Sequence, residues 1–427
     1  MKIIYSLILL IVFTGLNSQA QTKDEYLNQI IEKAIAESPE LKSLEIQKRI
    51  AKERINIGTT LPDPVLTLGL ANMPVNSFSF TQEPMTGKVI GISQAIPFPG
   101  KLGTLAEAKA TDTLIVAEQI ADTKNYIVSE VTSLYYQILL TDKKIKLAEK
   151  RKELLRQIEE VTSEKYRVGK ASLQNLVQTG VEINKLEDLL ATLKNKRAGL
   201  IEKLQVRLHS KAIIPTSDKI KLPEILSKIN ANEVETLVQN NPQLKSILLN
   251  VEKSEKIKQV KKYGFYPNFK LSLQYNQRDY SAASGNDWVD FLSAVVGITL
   301  PLDYGGNKSA EINEAEEMKN LYAEKYNVVT ERIKSQTSLL IAKLNELAER
   351  NDIIKNQLLP KAEKALSSAK ADYNTGKIDF SNVLGSENQL LKIETEYYET
   401  VFGYLKTLAQ LQYLLGSNDI HKIFVTE

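Results

Sequence analysis

The sequence predicts a mainly α-helical chain that also carries a membrane β-barrel portion, with the barrel shared among several copies. Three observations predict it. Two very long runs lack helix breakers, four short segments alternate with a period of two, and a tandem repeat places both kinds of element in the same order.

The repeat sets the frame. Aligning 163–210 with 370–417 at a constant offset of 207 gives ten identities in 48 positions, among them Tyr166/Tyr373, Gly169/Gly376, Lys170/Lys377, Asn175/Asn382 and Leu208/Leu415. Ordinary composition would give roughly three. Upstream, "SPELKS" (38–43) meets "NPQLKS" (241–246), and Ile96-Pro97 meets Leu300-Pro301. Residues 1–20 read as a leader, 21–210 as the first repeat, 211–230 as a linker containing "IIPTSDKIKLPE", 231–417 as the second repeat and 418–427 as a tail.

The leader "MKIIYSLILLIVFTGLNSQA" has one lysine, an apolar stretch from Ile3 to Phe13 and a small-x-small ending at Ser18 and Ala20. That is the pattern of a cleavable export signal. Its apolar run is shorter than the roughly 20 residues of a spanning helix.

Each repeat then runs helix, two strands, long helix, turn, helix. The first helix is expected over 24–58. Strands are expected at "VLTLGLANM" (65–73) and "VIGISQAIPF" (89–98), and in clearer form at "FKLSLQYN" (269–276) and "FLSAVVGITLPL" (291–302). In the third, Phe269, Leu271, Leu273 and Tyr275 share one face while Lys270, Ser272, Gln274 and Asn276 share the other. Each is near the roughly 9–11 residues that cross an outer membrane obliquely. A soluble sheet on a core would alternate in the same way. Against it, four strands leave open edges that lipid does not tolerate, and four are too few to close a barrel. Several chains should therefore contribute.

The long helices follow. Residues 104–168 contain neither Gly nor Pro, and 307–375 contain only Pro360. At 1.5 Å per residue they would reach about 97–104 Å. Gly169 and Gly376 supply the positive φ that ends each at its tip, and a shorter helix, 172–209 in the first repeat, returns. Two shorter helices stacked end to end would match one long one. Pro360 is expected to kink the second long helix.

Composition excludes several classes. Lys plus Arg is 55 against 52 for Asp plus Glu, spread along the chain, so nucleic acid is not an expected partner. The basic cluster "TDKKIKLAEKRK" (141–152) is expected to be a helix's wet face. There is no cysteine, hence no disulfide and no lipid on an N-terminal cysteine. His209 and His421 form no dyad, and "YGGNKS" (304–309) lacks Walker spacing and suits a turn before a helix. Met73 and Met85 are read as packing residues rather than thioether ligands. Neither a catalytic site nor a cofactor is expected.

Leader, repeat, paired strands and long helices turned at Tyr-x-x-Gly together resemble the TolC-like outer-membrane efflux family across essentially the whole mature chain. Residues 61–101 are similar to the branch serving RND-type heavy-metal exporters. The resemblance implies a homotrimer in outer-membrane lipid, with a 12-stranded barrel and a helical tunnel in the periplasm. It also implies a periplasmic adaptor and an inner-membrane RND-type pump as partners. Tyr166, Val168, Gly169 and Lys170, with Tyr373, Thr375, Gly376 and Lys377, match the family's adaptor-docking turns. The acidic ring at the family's entrance corresponds to Asn382 and Gly385 here, so that ring is missing; Asp379 and Glu387 lie nearby as candidate substitutes or as ordinary helix-start or surface carboxylates. Two other classes compete: a periplasmic coiled-coil adaptor or scaffold, which would need no alternating strands ending near Tyr280 and Trp288, and a secreted enzyme, which would need a convergent polar site. Within the channel reading, a drug duct competes with a metal duct.

Overall fold

The computed structural model describes residues 25–169, 171–210 and 238–416. The leader, Lys170, the 211–230 linker, His421 and the 418–427 tail lie outside the described residues.

The expected first helix is two. Helix α1 (Glu25–Glu37) stops at Ser38, and α2 (Pro39–Arg54) begins at a proline that has no N–H to continue the ladder and disfavours helical backbone before it. Strands β1 (Val65–Ala71) and β2 (Gly87–Ile96) follow, then α3 (Lys101–Arg167), an unbroken helix of 67 residues. Helix α4 (Leu173–Leu208) returns from the turn. The second repeat supplies α5 (Pro242–Lys262), β3 (Phe269–Gln277), β4 (Phe291–Ile298), α6 (Asn307–Ile353), α7 (Leu359–Asn374) and α8 (Phe380–Leu415).

Pro360 acts through a local widening. A π-turn, Ile354–Leu358, separates α6 from α7, and the Leu359 N–H donates to the carbonyl of Ile354 five residues back. Proline cannot donate to the carbonyl four residues before it, and its ring crowds that carbonyl; a wider turn relieves both. Strand β4 stops short of its expected end. At Thr299 its N–H still reaches the Asn268 carbonyl at 2.9 Å, but Pro301 cannot extend the ladder.

The chain forms two compact units, each drawing on both repeats. One contains α1, α3 from Ile127, α4, α6 from Lys343, α7 and α8 to Ala409. Its core is a row of apolar side chains: Ile145, Ala148 and Leu155 of α3 meet Ile183, Leu186 and Leu190 of α4, with Leu366 of α7 and Phe380, Val383 and Leu384 of α8. Part of the basic cluster expected to be wet belongs to this interior. Asp142 and Arg151 are buried, because they lie in the same helical row as Ile145, Ala148 and Leu155. Asp142 is paired with Arg197.

The other unit holds α2, the four strands, α3 to Tyr126, α5, α6 to Ala342 and the end of α8. The strands form one antiparallel sheet in the order β1-β2-β3-β4. Asn241 caps α5, accepting from the Gln243 N–H at 2.8 Å while its amide donates to the Leu414 carbonyl. Gly416, at φ 64°, closes against Pro242, where an added Cβ would approach within 2.9 Å. Asp122 is half-buried beside Tyr413; burial pushes its carboxyl up, and the tyrosine hydrogen bond opposes that in part.

Candidate functional site

Two regions position the chemistry-bearing residues: the sheet and the pair of Gly-Lys turns.

The register sorts the sheet's residues by face. Ile92 lies opposite Leu66 and Leu273, Ile90 opposite Leu68 and Tyr275, and Leu273 opposite Ala294. These side chains, with Leu271, Leu292, Val296 and Ile298, form one apolar face. Thr67, Gly91, Ser93, Lys270, Ser272, Gln274, Asn276, Ser293 and Gly297 fall on the other. The apolar face is exposed, Leu68 by 67% and Leu292 by 69%. Among the described residues, both outer edges, on β1 and β4, have no paired strand.

Aromatic side chains mark both ends of the strands. At the helical end Phe98 stacks near Tyr266 at 4.6 Å and Tyr263 at 6.0 Å. At the far end Arg278 lies 3.8 Å over the Phe291 ring and ties the two hairpin loops by donating to the carbonyls of Val289 and Pro84. Met73 and Met85 lie in the first of these loops, where the Met85 carbonyl accepts from Asn72. Among the described residues no helix is long and apolar enough to cross a membrane.

The turns share one backbone solution. Gly169 has φ 71° and donates to the Tyr166 carbonyl at 3.0 Å; Gly376 has φ 75° and donates to the Tyr373 carbonyl at 3.1 Å. In the second, the Lys377 N–H also reaches the Asp372 carbonyl at 2.9 Å, completing a Schellman end. A Cβ added at either glycine would meet nothing within 4 Å. His209 ends α4 in the same left-handed conformation at φ 49°. "YGGNKS" is a turn: Asp303 accepts from the Lys308 and Ser309 N–H groups as α6 begins.

Beyond the backbone the turns differ. At the first, Tyr166 and Val168 are exposed, and α4 begins with Ser172 accepting from the Asn175 N–H. At the second, Tyr373 packs on Phe380 at 5.7 Å and lies under the Lys165 ammonium at 4.2 Å, while Thr375 donates its hydroxyl to the Asp372 carbonyl. Asp379 is exposed immediately before α8, and its carbonyl accepts from Asn382.

Glu387 is not a surface carboxylate. It is 6% exposed, 2.8 Å from the Lys370 ammonium, with the Arg151 guanidinium donating to its backbone carbonyl and to Asn388. Burial pushes the Arg151 pKa down, opposed by the charges of Glu387 and Glu182. Sequence reasoning missed this network, although Arg151's place in the apolar row Ile145-Ala148-Leu155 was the signal. It also missed the exposed aliphatic row Leu173, Val177 and Val181 on α4, which stands at four-residue spacing.

The chain matches the family model described as outer membrane efflux protein over residues 30–205 and 234–417. Cobalt-zinc-cadmium resistance protein CzcC of Cupriavidus metallidurans is 21% identical over 342 residues, 75% of each chain. Among solved structures, CusC superposes with a TM-score of 0.73 at 16% identity, covering 92% of each chain. A membrane protein from Pseudomonas aeruginosa gives 0.75 at 15%, covering 92% and 91%. The outer membrane protein VceC of Vibrio cholerae gives 0.69 at 17%, covering 92% and 96%.

Proposed function

The chain belongs to the outer membrane efflux protein family, and from that premise we propose that three copies close one barrel and export heavy-metal cations passed from an inner-membrane pump. The protein is an efflux channel of the outer membrane. The observation that carries the shared barrel is the sheet: an exposed apolar face, an opposite face that carries most of the small and polar strand residues alongside Val65, Val89, Phe291 and Val295, and two edges that are unpaired among the described residues. Lipid accepts the first, a water path the second, and only pairing between copies removes the third. Three sheets of four strands give twelve. Aromatic side chains at both strand ends suit the two membrane interfaces.

Transport needs no chemistry from this chain. An RND-type pump supplies the driving force, and a periplasmic adaptor docks at the turns around Gly169 and Gly376, where open space surrounds both glycines. Docking would spread the helix ends and open a water path. The metal assignment is supported by the likeness to a cobalt-zinc-cadmium resistance protein.

The test is sensitivity of a deletion strain to metals and to hydrophobic drugs, with fractionation of the protein in the parent. Outer-membrane trimers with metal sensitivity alone are expected. Drug sensitivity alone would keep the channel and discard the metal cargo, and a soluble monomer would overturn the shared barrel.

A further inference from the structure

The four strands carry two charged side chains between them, and both are lysines: Lys88 on β2 and Lys270 on β3. No strand residue is an aspartate or a glutamate. The two lysines are placed differently. Lys88 falls on the apolar face, opposite Gln277 at the last rung of the β2–β3 ladder. Its ammonium pairs with Asp279 at 3.4 Å and lies 5.1 Å over the Phe80 ring. A neutralised charge at a strand end reaches the membrane interface, where it costs little.

Lys270 falls on the other face with Ser272 and Gln274, at the helical end of β3. It is exposed and forms no ion pair among the described residues. Its cross-strand neighbours are Ala95 on β2 and Gly297 on β4, and a Cβ added at Gly297 would stand 3.6 Å from the Lys270 Cβ. With nothing larger than a methyl group on either side, the stem has no wall to lie against and the ammonium is left to water. Arg278, farther along the same line, is already committed: its guanidinium lies on Phe291 and donates to the carbonyls of Val289 and Pro84, while Asp290 accepts from its N–H. Asp63 precedes β1, which β2 separates from β3, so about 10 Å of sheet lies between that carboxylate and Lys270.

We propose that the barrel is an anion filter: three Lys270 ammoniums ring its helical end and repel bare cations, and a metal ion leaves through it as a complex with an excess of anionic ligands. This rests on the shared-barrel reading, which puts this face on the water path. Twelve strands at ordinary spacing and tilt enclose a bore about 24 Å wide between backbones. Each Cα is then about 12 Å from the axis, and the lysine stem brings its charge closer. Three such charges, opposed in part by Asp63, should favour a monovalent anion over a cation about fivefold at roughly 10 mM salt, where the Debye length is about 30 Å. At about 1 M salt it is near 3 Å, and the preference should vanish.

The test is the reversal potential of purified trimers in bilayers of neutral lipid under a salt gradient. Lys270→Gln should shift it toward cations and Lys270→Glu farther in the same direction, with Lys88→Gln leaving it unchanged. In liposomes the anionic zinc–nitrilotriacetate complex should leave faster than zinc ion alone, and Lys270→Glu should reverse that order. Because the chain has no native cysteine, Ser272→Cys reports on the same spot without current. An anionic methanethiosulfonate should modify it faster than a cationic one at low salt, with the order inverted when Lys270→Glu is added. Trimers in which Lys270→Glu moves neither the reversal potential nor the labelling order would overturn the filter and leave the shared barrel standing, as would an equal shift from Lys88→Gln. A Ser272→Cys thiol that neither reagent reaches, or a parent chain that forms no trimers, would overturn both.

Discussion

The two Gly-Lys turns are copies of one another in sequence and in backbone, yet their surroundings are opposite. Around Gly169 the side chains face water: Val168 is 66% exposed, and Leu173, Val177 and Val181 extend an apolar row along α4. Past Gly376 the start of α8 faces inward, with Phe380 only 1% exposed and Val383 and Leu384 buried beside it. Duplication therefore preserved what the backbone requires, a residue at positive φ, and left the side chains free to diverge. The first turn leaves its apolar side chains exposed; the second is followed by a helix start that the protein packs against itself.

The strongest test of that contrast is Phe380→Ala. It removes a fully buried ring and should cost about 3 kcal/mol, measured as a fall in the melting temperature of the detergent-solubilised protein. The equivalent truncations at the first turn, Leu173→Ala and Val177→Ala, should change stability by less than about 0.5 kcal/mol while impairing export. A large loss of stability from the first-turn variants would erase the distinction.

Arg151→Ala comes next, at about 2 kcal/mol. The full value for a buried pair is not expected, because Lys370 is half-exposed and still answers Glu387 from the other side. Arg151→Lys should recover little, since a single ammonium cannot reach both the Glu387 carbonyl and the Asn388 side chain. Full recovery with lysine would reduce the network to a simple charge.

Smaller still is the effect of Gly169→Ala and Gly376→Ala, about 1 kcal/mol each, since only the left-handed backbone is strained and no atom lies where the new Cβ would go. Gly169→Trp and Gly376→Trp should therefore leave trimers intact but block export. Full export by both would remove the turns from the docking surface.

How much of this was legible in the sequence follows from what each feature depends on. The tip glycines, the paired strands and the long helices are local or periodic signals, and they appear at the expected residues. Residue pairs across the sheet follow the alternation seen in "FKLSLQYN", so the faces were readable once the register was known. The division of the first helix at Ser38–Pro39 carries a local signal, the proline, that a single helix over 24–58 passes over. Pro360 was visible, whereas the π-turn that accommodates it was not, since a widened turn leaves no composition signal. The inward turn of Asp142, Arg151 and Glu387 depends on which helices pack together; for the first two, their place in a basic run gave the opposite impression.

The finest test separates the two carboxylates near the second turn, which looked equivalent in sequence. Asp379 is exposed at the start of α8, where the helix end favours its charge; Glu387 is two turns farther along, buried against Lys370 and beneath Arg151. Of the two, only Asp379 is exposed to water. Asp379→Asn should reduce cation selectivity in single-channel recordings with almost no change in stability. Glu387→Gln should leave selectivity unchanged and lower the melting temperature instead, because two buried or half-buried cations lose their counter-charge. Equal shifts in selectivity from both variants would mean that the second turn opens in the assembled channel and that Glu387 then faces water, which would make its packed state the closed one.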